Sequence, residues 1–407
     1  MKELIRVYIF DGYRETVIES QVFNWAAALR EIGLKTIGLS LTERKANQER
    51  KQAMLQHLSE KYQTEIYSGQ YDNYPILREF QIAVSLYKLY KKLNDKERKI
   101  VFQTRMLGLI RIVPLWHLLT KAKFIFDIRA SALTEYLYSN ANAKHSDFRI
   151  KNLERIERQV VYRSDAVFCV SQKLKDYLLT NYGSGLSNQD KITVIPGAAD
   201  QALFYYSDEL RTIMRGKIGC ENKTVFIYSG RLNKKWQVPD KVFGLFGFLA
   251  KRIPEVYFII LSPDVDIARH YFALNEIPET SYLVTYEELD GINQYLNAAD
   301  YAIMLRENLP INHHASPTKV AEYLLTGLSV IISKNVGDFS EFIDEHGLGC
   351  IVDSDNSDFY EFVYKYIEQR KLDNNYLSRR KEQAEFSARF YSKNSYLELM
   401  KQKCEEL

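Results

Sequence analysis

Residues 312–327, with the sequence NHHASPTKVAEYLLTG, combine the signals that start and stop a helix. Ser316 is typical of an N-cap, and Pro317 follows at the first helical position, where its missing N–H costs nothing. The apolar residues after it keep helical spacing until Gly327 ends the pattern. The stretch therefore predicts a short helix that is capped by Ser316 and stopped by Gly327.

The start of this helix is suited to an anion. Thr318 and Lys319 would lie in its first turn, where backbone N–H groups are free and the helix dipole is positive. Such a helix start can bind a phosphate. Glu322 on the same helix could accept hydrogen bonds from hydroxyl groups of the same ligand. The alternative is an ordinary capped helix with a solvated glutamate, and the neighbouring segments decide between the two.

The composition is that of a soluble globular protein with two domains. The chain has 407 residues, of which 46% are hydrophobic and 26% charged. Its 55 Lys and Arg against 52 Asp and Glu give a net charge of +3, so no nucleic-acid partner is expected. The four cysteines are scattered singly, which fits reduced cytosol and predicts no disulfide framework. Neither a signal peptide nor a membrane span is expected.

Short β-rich runs alternate with helical patterns along the whole chain. The rhythm starts at Val7–Phe10 and starts again at Thr224–Tyr228, after a stretch rich in turn residues. This alternation predicts an α/β protein with parallel, doubly wound sheets. We expect two Rossmann-like domains facing a central cleft, at residues 1–200 and 201–383, with a final helix at 384–407 that packs back on the N-terminal domain.

The end of the second domain's first strand carries an arginine. Gly230 and Arg231 follow this strand, so Arg231 can reach the same sheet edge as Ser316. Its planar fork of donors matches a phosphate, and Lys234 or Lys235 could add a second charge on a leaving pyrophosphate. An isolated arginine after a strand is more often a surface residue. Next to a helix start suited to anions, the phosphate role is favoured.

Thr285 and Tyr286 end another strand of the second domain, where a nucleobase could lie against backbone groups and an aromatic ring. Tyrosine is common here, with 29 residues, so chance explains its presence equally easily. His313 and His314 are adjacent on a loop, point in different directions and have no carboxylate at metal-site spacing. We therefore predict no metal, and favour one of the histidines as a donor to a sugar hydroxyl.

Two places in the first domain could line an acceptor pocket. Asp11 and Gly12 form the first strand-to-helix loop, which lacks the GxGxxG pattern of a phosphate loop. Asp127 and Arg129 stand beyond a strand's carboxyl end, the edge at which such sheets bind ligands. A purely structural salt bridge between Asp127 and Arg129 is an equally good interpretation.

The segment Leu107–Lys123 is apolar and is flanked by Arg111, Lys121 and Lys123. It could rest on an anionic membrane face. A crossover helix buried against the sheet explains the pattern equally well.

The whole chain resembles the GT-B glycosyltransferases, and specifically the large retaining family usually numbered four. The resemblance is strongest over residues 297–300, 316–327, 330–331 and 337–338, and further landmarks are Ser164–Ser171, Val194–Pro196 with Asp200 and Phe204, and Tyr228–Leu232.

The resemblance implies that a nucleotide-sugar lies against the second domain. Glu322 would bind the ribose hydroxyls, and Arg231 with Lys235 or Lys234 would hold the pyrophosphate at the helix start formed by residues 316–319. The sequence departs from the family in two places. His314 stands where the family has the first glutamate of a pair, and Trp236 stands at the usual position of the phosphate lysine.

We therefore expect an enzyme, a hexosyltransferase that transfers a sugar from a nucleoside-diphosphate donor to a glycan or lipid-linked glycan. It would need no metal or other cofactor. Its expected location is the cytoplasm, including the inner face of the membrane. Arg231, Lys235 and Glu322 would form its catalytic set. Two alternatives stay open: a GT-B scaffold that binds nucleotide or glycan without turnover, and a nucleotide-sugar epimerase. An epimerase would convert the donor in the absence of any acceptor.

Overall fold

The fold is seen in a computed structural model that describes residues 2–11, 18–46, 48–140, 147–233, 237–371 and 375–407. Two compact units divide the chain. The first comprises Met1–Ile195 together with Tyr396–Leu407, and the second comprises Pro196–Ser395. Both are α/β units built on a parallel sheet.

The sheet of the first unit has seven strands: β1 (Glu3–Asp11), β2 (Lys35–Glu43), β3 (Ile66–Tyr71), β4 (Arg98–Thr104), β5 (Lys123–Ile128), β6 (Ala166–Cys169) and β7 (Ile192–Val194). They lie in the order β3-β2-β1-β4-β5-β6-β7. Strand β1 is buried between its two end residues, as expected of a central parallel strand covered on both faces. Successive strands are added on one side of β1 as far as β3, and on its other side from β4 onward. Ligands of open α/β sheets bind at the carboxyl ends of the strands at such a switch point.

In the described residues of this unit, before the final helix, the helices are α1 (Asn24–Glu31), α2 (Gln48–Tyr62), α3 (Pro75–Leu93), α4 (Val113–Leu119), α5 (Ala132–Ser139), α6 (Phe148–Arg163) and α7 (Gln172–Tyr182). A π-helical turn at Glu19–Phe23 precedes α1, and 3-10 turns occupy Leu107–Arg111 and Gln189–Lys191. Phe102 stacks on Phe124 with ring centroids 5.4 Å apart, and Trp116 of α4 packs edge-on against both. Aromatic contacts of this kind fasten the α4 layer to the sheet.

The second unit has six strands: β8 (Thr224–Ser229), β9 (Val256–Leu261), β10 (Tyr282–Thr285), β11 (Tyr301–Met304), β12 (Ser329–Ser333) and β13 (Gly349–Val352). Their order is β10-β9-β8-β11-β12-β13. Its helices are α8 (Asp208–Ile218), α9 (Pro239–Ala250), α10 (Val265–Leu274), α11 (Ile292–Ala298), α12 (Pro310–His313), α13 (Thr318–Leu325), α14 (Phe339–Glu345), α15 (Phe359–Lys371) and α16 (Tyr376–Tyr391), with a 3-10 turn at Glu279–Ser281.

The last helix, α17 (Asn394–Glu406), begins in the second unit, and its residues from Tyr396 onward belong to the first. Lys401 donates a hydrogen bond from its Nζ to the Ile32 carbonyl at 2.8 Å. Cys404 is fully buried. These contacts tie the final residues into the first unit.

Asp300 explains the landmark at residues 297–300 in structural terms. Its carboxylate accepts a hydrogen bond from the Val225 N–H at 2.8 Å and pairs with Arg211 at 2.5 Å and Arg215 at 3.2 Å. The side chain thus joins β8, β11 and α8.

Arg380 of α16 is fully buried. Its guanidinium donates to the carbonyl oxygens of Thr326 at 2.9 Å, Ala299 at 2.5 Å and Leu296 at 2.9 Å. These acceptors lie at the C-terminal ends of α13 and α11, where carbonyls lack intrahelical partners. One side chain therefore completes the ends of two helices.

Candidate active site

Successive strands of the second sheet are added on one side of β8 as far as β10, and on its other side from β11 onward. The carboxyl ends of β8 and β11 therefore form the switch point of this sheet. Residues from the end of β8, from the loops that follow β8 and β11, and from α13 lie at this edge. We call the set the switch-point cluster; its members are Ser229, Gly230, Arg231, Arg306, Lys319 and Glu322.

A tight turn follows β8. Gly230 has a φ of 147°, a backbone conformation that favours glycine, and its N–H donates to the Leu261 carbonyl at 2.9 Å. The Ser229 N–H donates to Tyr323 Oη at 2.9 Å. The turn is thereby fixed between β9 and helix α13.

Lys319 reaches this turn from α13. Its Nζ donates to Ser229 Oγ at 3.2 Å, and a Cβ at Gly230 would lie 3.5 Å from Lys319 Cε. Arg231 follows directly, with its side chain 58% exposed and its Nη1 3.6 Å from Asp264 Oδ1. The structure therefore brings Gly230, Arg231 and Lys319 to one place, and Arg231 is open to a ligand.

The predicted cap of the helix is wrong. Helix α13 starts at Thr318, Pro317 is its N-cap residue, and Ser316 lies outside it. The Ser316 Oγ accepts a hydrogen bond from the Gly197 N–H at 2.8 Å instead, because the backbone at Gly197 approaches Ser316 so closely that a Cβ there would clash with the Ser316 carbonyl. The predicted stop is correct: Gly327 has a φ of 67° just past the helix.

Glu322 is 6% exposed, and its Oε2 has no hydrogen-bond partner among the described residues. Burial raises the pKa of Glu322 above its ordinary value, and the charge of Lys319 opposes this shift. A buried carboxylate oxygen without a donor raises the free energy of the folded state. A ligand with hydroxyl groups could donate the missing hydrogen bond.

Arg306 follows β11 at the same edge and was missed by the sequence analysis. Burial lowers the pKa of Arg306, while Tyr228 and Tyr323 act in the opposite direction, and the guanidinium stays charged at pH 7. Both tyrosines contact the turn after β8, since Tyr228 Oη donates to the Arg231 carbonyl at 2.8 Å. The position of Arg306, two residues after the end of a strand, was the signal that could have revealed it.

The other predicted donor residues that the structure describes come from the end of β10 and from the segment after α12. Thr285 closes β10, two strands from β8, and its carbonyl accepts from the Ser262 N–H at 2.9 Å. Tyr286 is 52% exposed. His314 follows α12, and burial, with a further contribution from His313, lowers the pKa of His314 to about 4, so this imidazole is neutral at pH 7. Lys234 and Lys235 lie outside the described residues.

The first unit places Asp127 and Arg129 at the end of β5. The Asp127 Oδ2 accepts from Tyr8 Oη and from Arg105 Nε, each at 3.0 Å, whereas Arg129 Nη1 lies 4.0 Å from Oδ1. The nearest ionic partner of Asp127 is thus Arg105, which the sequence analysis missed although it directly follows β4. Asp11 ends β1 and is exposed, and Gly12 lies outside the described residues.

No group of three or more His, Cys, Asp or Glu residues that could hold a metal ion occurs in the described part of the chain. Within the same ranges, none of the helices has the length and apolar character needed to cross a membrane.

Comparison with known proteins identifies the fold. No family model matches the sequence, and no curated protein matches it. Solved structures do match over the full length. The Anabaena protein HepE in complex with UDP has a TM-score of 0.72 at 14% identity and covers 100% of both chains.

Two further structures show the same likeness. A glycosyltransferase from Rickettsia africae has a TM-score of 0.72 at 14% identity, covering 100% of this chain and 99% of its own. The pneumococcal O-GlcNAc transferase GtfA in complex with UDP and GlcNAc has a TM-score of 0.70 at 13% identity and covers 99% of each chain. The chain therefore has the GT-B fold, with two α/β units on parallel sheets of seven and six strands.

Proposed function

We propose that the chain is a glycosyltransferase that moves a hexose from a nucleoside diphosphate to a hydroxyl group of a glycan or lipid-linked glycan, with retention of configuration, in cell-surface polysaccharide assembly. The observation that carries the proposal is the switch-point cluster: three cations, a tight glycine turn and a buried glutamate with an unpartnered oxygen. That HepE has been solved with UDP and with UDP-glucose supports a UDP-sugar as the first donor to test.

The proposed chemistry needs charge more than covalent catalysis. Lys319, Arg306 and Arg231 would lie against the diphosphate and stabilise the negative charge that develops on it as the glycosidic bond breaks. The positive end of α13 would add to this field. Glu322 would accept hydrogen bonds from the ribose, and neutral His314 would contact the sugar. Thr285 and Tyr286 would flank the base.

Donor binding and transfer test the proposal directly. UDP should raise the melting temperature in a concentration-dependent way, since a ligand at 100 times its Kd adds about 2.7 kcal/mol to the free energy of unfolding. Radiolabelled UDP-glucose and UDP-GlcNAc, offered with glycan acceptors, should give product. Arg231→Ala should lower kcat/KM about tenfold, because it removes one charge from an exposed position on the diphosphate.

Arg269→Ala, an exposed arginine on α10, is the matched control and should leave kcat/KM unchanged. UDP binding without turnover on any acceptor would favour a scaffold, and conversion of the donor without acceptor would favour an epimerase. Failure of UDP, GDP and ADP alike to bind would end the proposal.

Peripheral contact with the inner membrane face is a second part of the proposal. Helix α4 buries Val113 and Trp116 but leaves Leu115, Leu118 and Leu119 exposed, at 56%, 84% and 58%. The flanking cations are less free than the sequence suggested, because Arg111 pairs with Glu79 and Lys123 with Asp165. The contact therefore depends on the three leucines.

Leu118→Glu should reduce flotation of the full chain with vesicles that contain anionic phospholipid at least threefold, because it places a charge in the apolar patch. Leu274→Glu, at an exposed leucine on α10 of the second unit, should float like the wild type. Equal flotation of all three proteins, or none with the wild type, would contradict the membrane contact.

A further inference from the structure

Four side chains meet at the switch point of the first sheet: Tyr8 from β1, Arg105 after β4, and Asp127 and Arg129 at the end of β5. We call them the arginine cluster. Two guanidinium groups lie here against one carboxylate, so these three groups have a net charge of +1.

The carboxylate is already engaged. Asp127 accepts from Tyr8 Oη and Arg105 Nε through the same oxygen, Oδ2, and is 7% exposed. Burial acts to raise the pKa of Asp127, but Arg105 and Arg129 outweigh it and hold that pKa below its usual value. The carboxylate is therefore ionised at pH 7, and Arg105 is its main partner. The other arm of Arg105 donates from Nη1 to Gln21 Oε1 at 2.6 Å.

Arg129 pairs with Asp127 more weakly than Arg105 does. Its one ion pair within the described ranges is with Asp127 at 4.0 Å, which is beyond hydrogen-bond distance. Burial, and then the charge of Arg105, lowers the pKa of Arg129 from its usual value. An arginine carries five N–H donors, and no Arg129 nitrogen is among the buried side-chain atoms that lack a partner in the described ranges. The side chain is still 23% exposed, so a ligand can reach it.

We infer that the arginine cluster binds an oxyanion group, a phosphate or a carboxylate, carried by the acceptor substrate. A planar guanidinium binds such a group through two parallel hydrogen bonds, which a neutral hydroxyl does not match. The position fits, because ligands of doubly wound sheets bind at the switch point. This inference rests on the proposed glycosyltransferase function and adds the chemical class of the acceptor.

Inorganic phosphate is the probe. Titration calorimetry at constant ionic strength, on the full chain saturated with UDP so that the second unit's phosphate site is filled, should show phosphate binding that chloride does not reproduce. Arg129→Gln should weaken this binding at least about tenfold, since it removes a bidentate charged contact. Asp127→Asn should strengthen it, because a competing negative charge is lost. Arg158→Gln, on the exposed side of α6, should match the wild type.

Two sources of the anion are separated by repeating the comparison with glucuronate and with phosphatidylcholine vesicles that carry a polyprenyl phosphate. Binding of either that Arg129→Gln weakens supports the inference and identifies the source as a soluble acidic glycan or a lipid phosphate. Phosphate heats equal to those of chloride, or equal for wild type and Arg129→Gln, would overturn it. UDP binding is measured on the same samples, so loss of the donor function is seen separately, and the Arg129→Gln comparison is also read without UDP.

Discussion

Glu322→Gln is expected to lower kcat/KM for sugar transfer about 100-fold and to make the folded chain more stable. The loss of activity follows because hydrogen bonds to an ionised group contribute about 1.5–3 kcal/mol each, and the carboxylate would accept such bonds from the ribose. An amide has one acceptor oxygen instead of two and carries no charge. Steady-state kinetics and UDP titration measure the effect.

The gain in stability follows from the raised pKa of Glu322. Because the folded-state pKa lies above the ordinary value of 4.5, this group's contribution to the free energy of unfolding is fully present below pH 4.5 and is lost as pH rises through the folded-state pKa. At pH 7, above the ordinary pKa, the upward shift of the folded-state pKa therefore lowers the free energy of unfolding, and glutamine removes this cost. We expect a gain of about 1 kcal/mol in denaturant unfolding at pH 7, typical of removing an unsatisfied buried group, and none near pH 4.

The pairing of lower activity with higher stability distinguishes a binding residue from a structural one. Glu385→Gln, at an exposed position of α16, should change neither quantity. If Glu322→Gln unfolded more easily than the wild type at pH 7, the carboxylate would have a structural partner and the proposed ribose contact would be wrong.

Arg380→Met should destabilise the second unit by at least about 3 kcal/mol, because three charged hydrogen bonds are lost and each contributes about 1.5–3 kcal/mol. The Thr326 carbonyl would lose this donor, while the Ala299 carbonyl would keep Arg211 Nη1 at 2.9 Å and the Leu296 carbonyl would keep the Ala299 N–H at 3.3 Å. Methionine roughly keeps the volume, so the loss reports the hydrogen bonds more than a cavity. Denaturant unfolding followed by circular dichroism measures it.

The control is Arg389→Met on the same helix, where the arginine is exposed and a change within about 0.5 kcal/mol is expected. A loss below 1 kcal/mol for Arg380→Met would show that the helix ends can satisfy their carbonyls in another way.

The sequence predicted the fold because periodicity is local. Alternating strands and helices are visible in windows of ten to twenty residues, and parallel sheets bring strand ends to one edge whatever the details. That rule placed Gly230 and Arg231 at the edge of the sheet that Lys319 reaches from α13. The same rule, applied to the first two residues after β4 and β11, would also have found Arg105 and Arg306.

What the sequence could not provide was the choice among partners. Ser316 has the right residue type for a helix cap, yet its hydroxyl binds the Gly197 N–H, 119 residues away. Asp127 and Arg129 are near neighbours in sequence, but Arg105 comes closer to the carboxylate. Such outcomes depend on which donor the fold places closest to the acceptor, and local sequence patterns do not contain that information.

The close approach of Gly197 to Ser316 has a consequence for how this protein can evolve. Gly197 lies next to the junction between the two units, and Ser316 directly precedes Pro317, the N-cap residue of α13. Since no side chain fits at residue 197, mutational drift at the junction is restricted by a loop more than a hundred positions further on. Whether a substitution is tolerated in one of these segments therefore depends on the residues of the other.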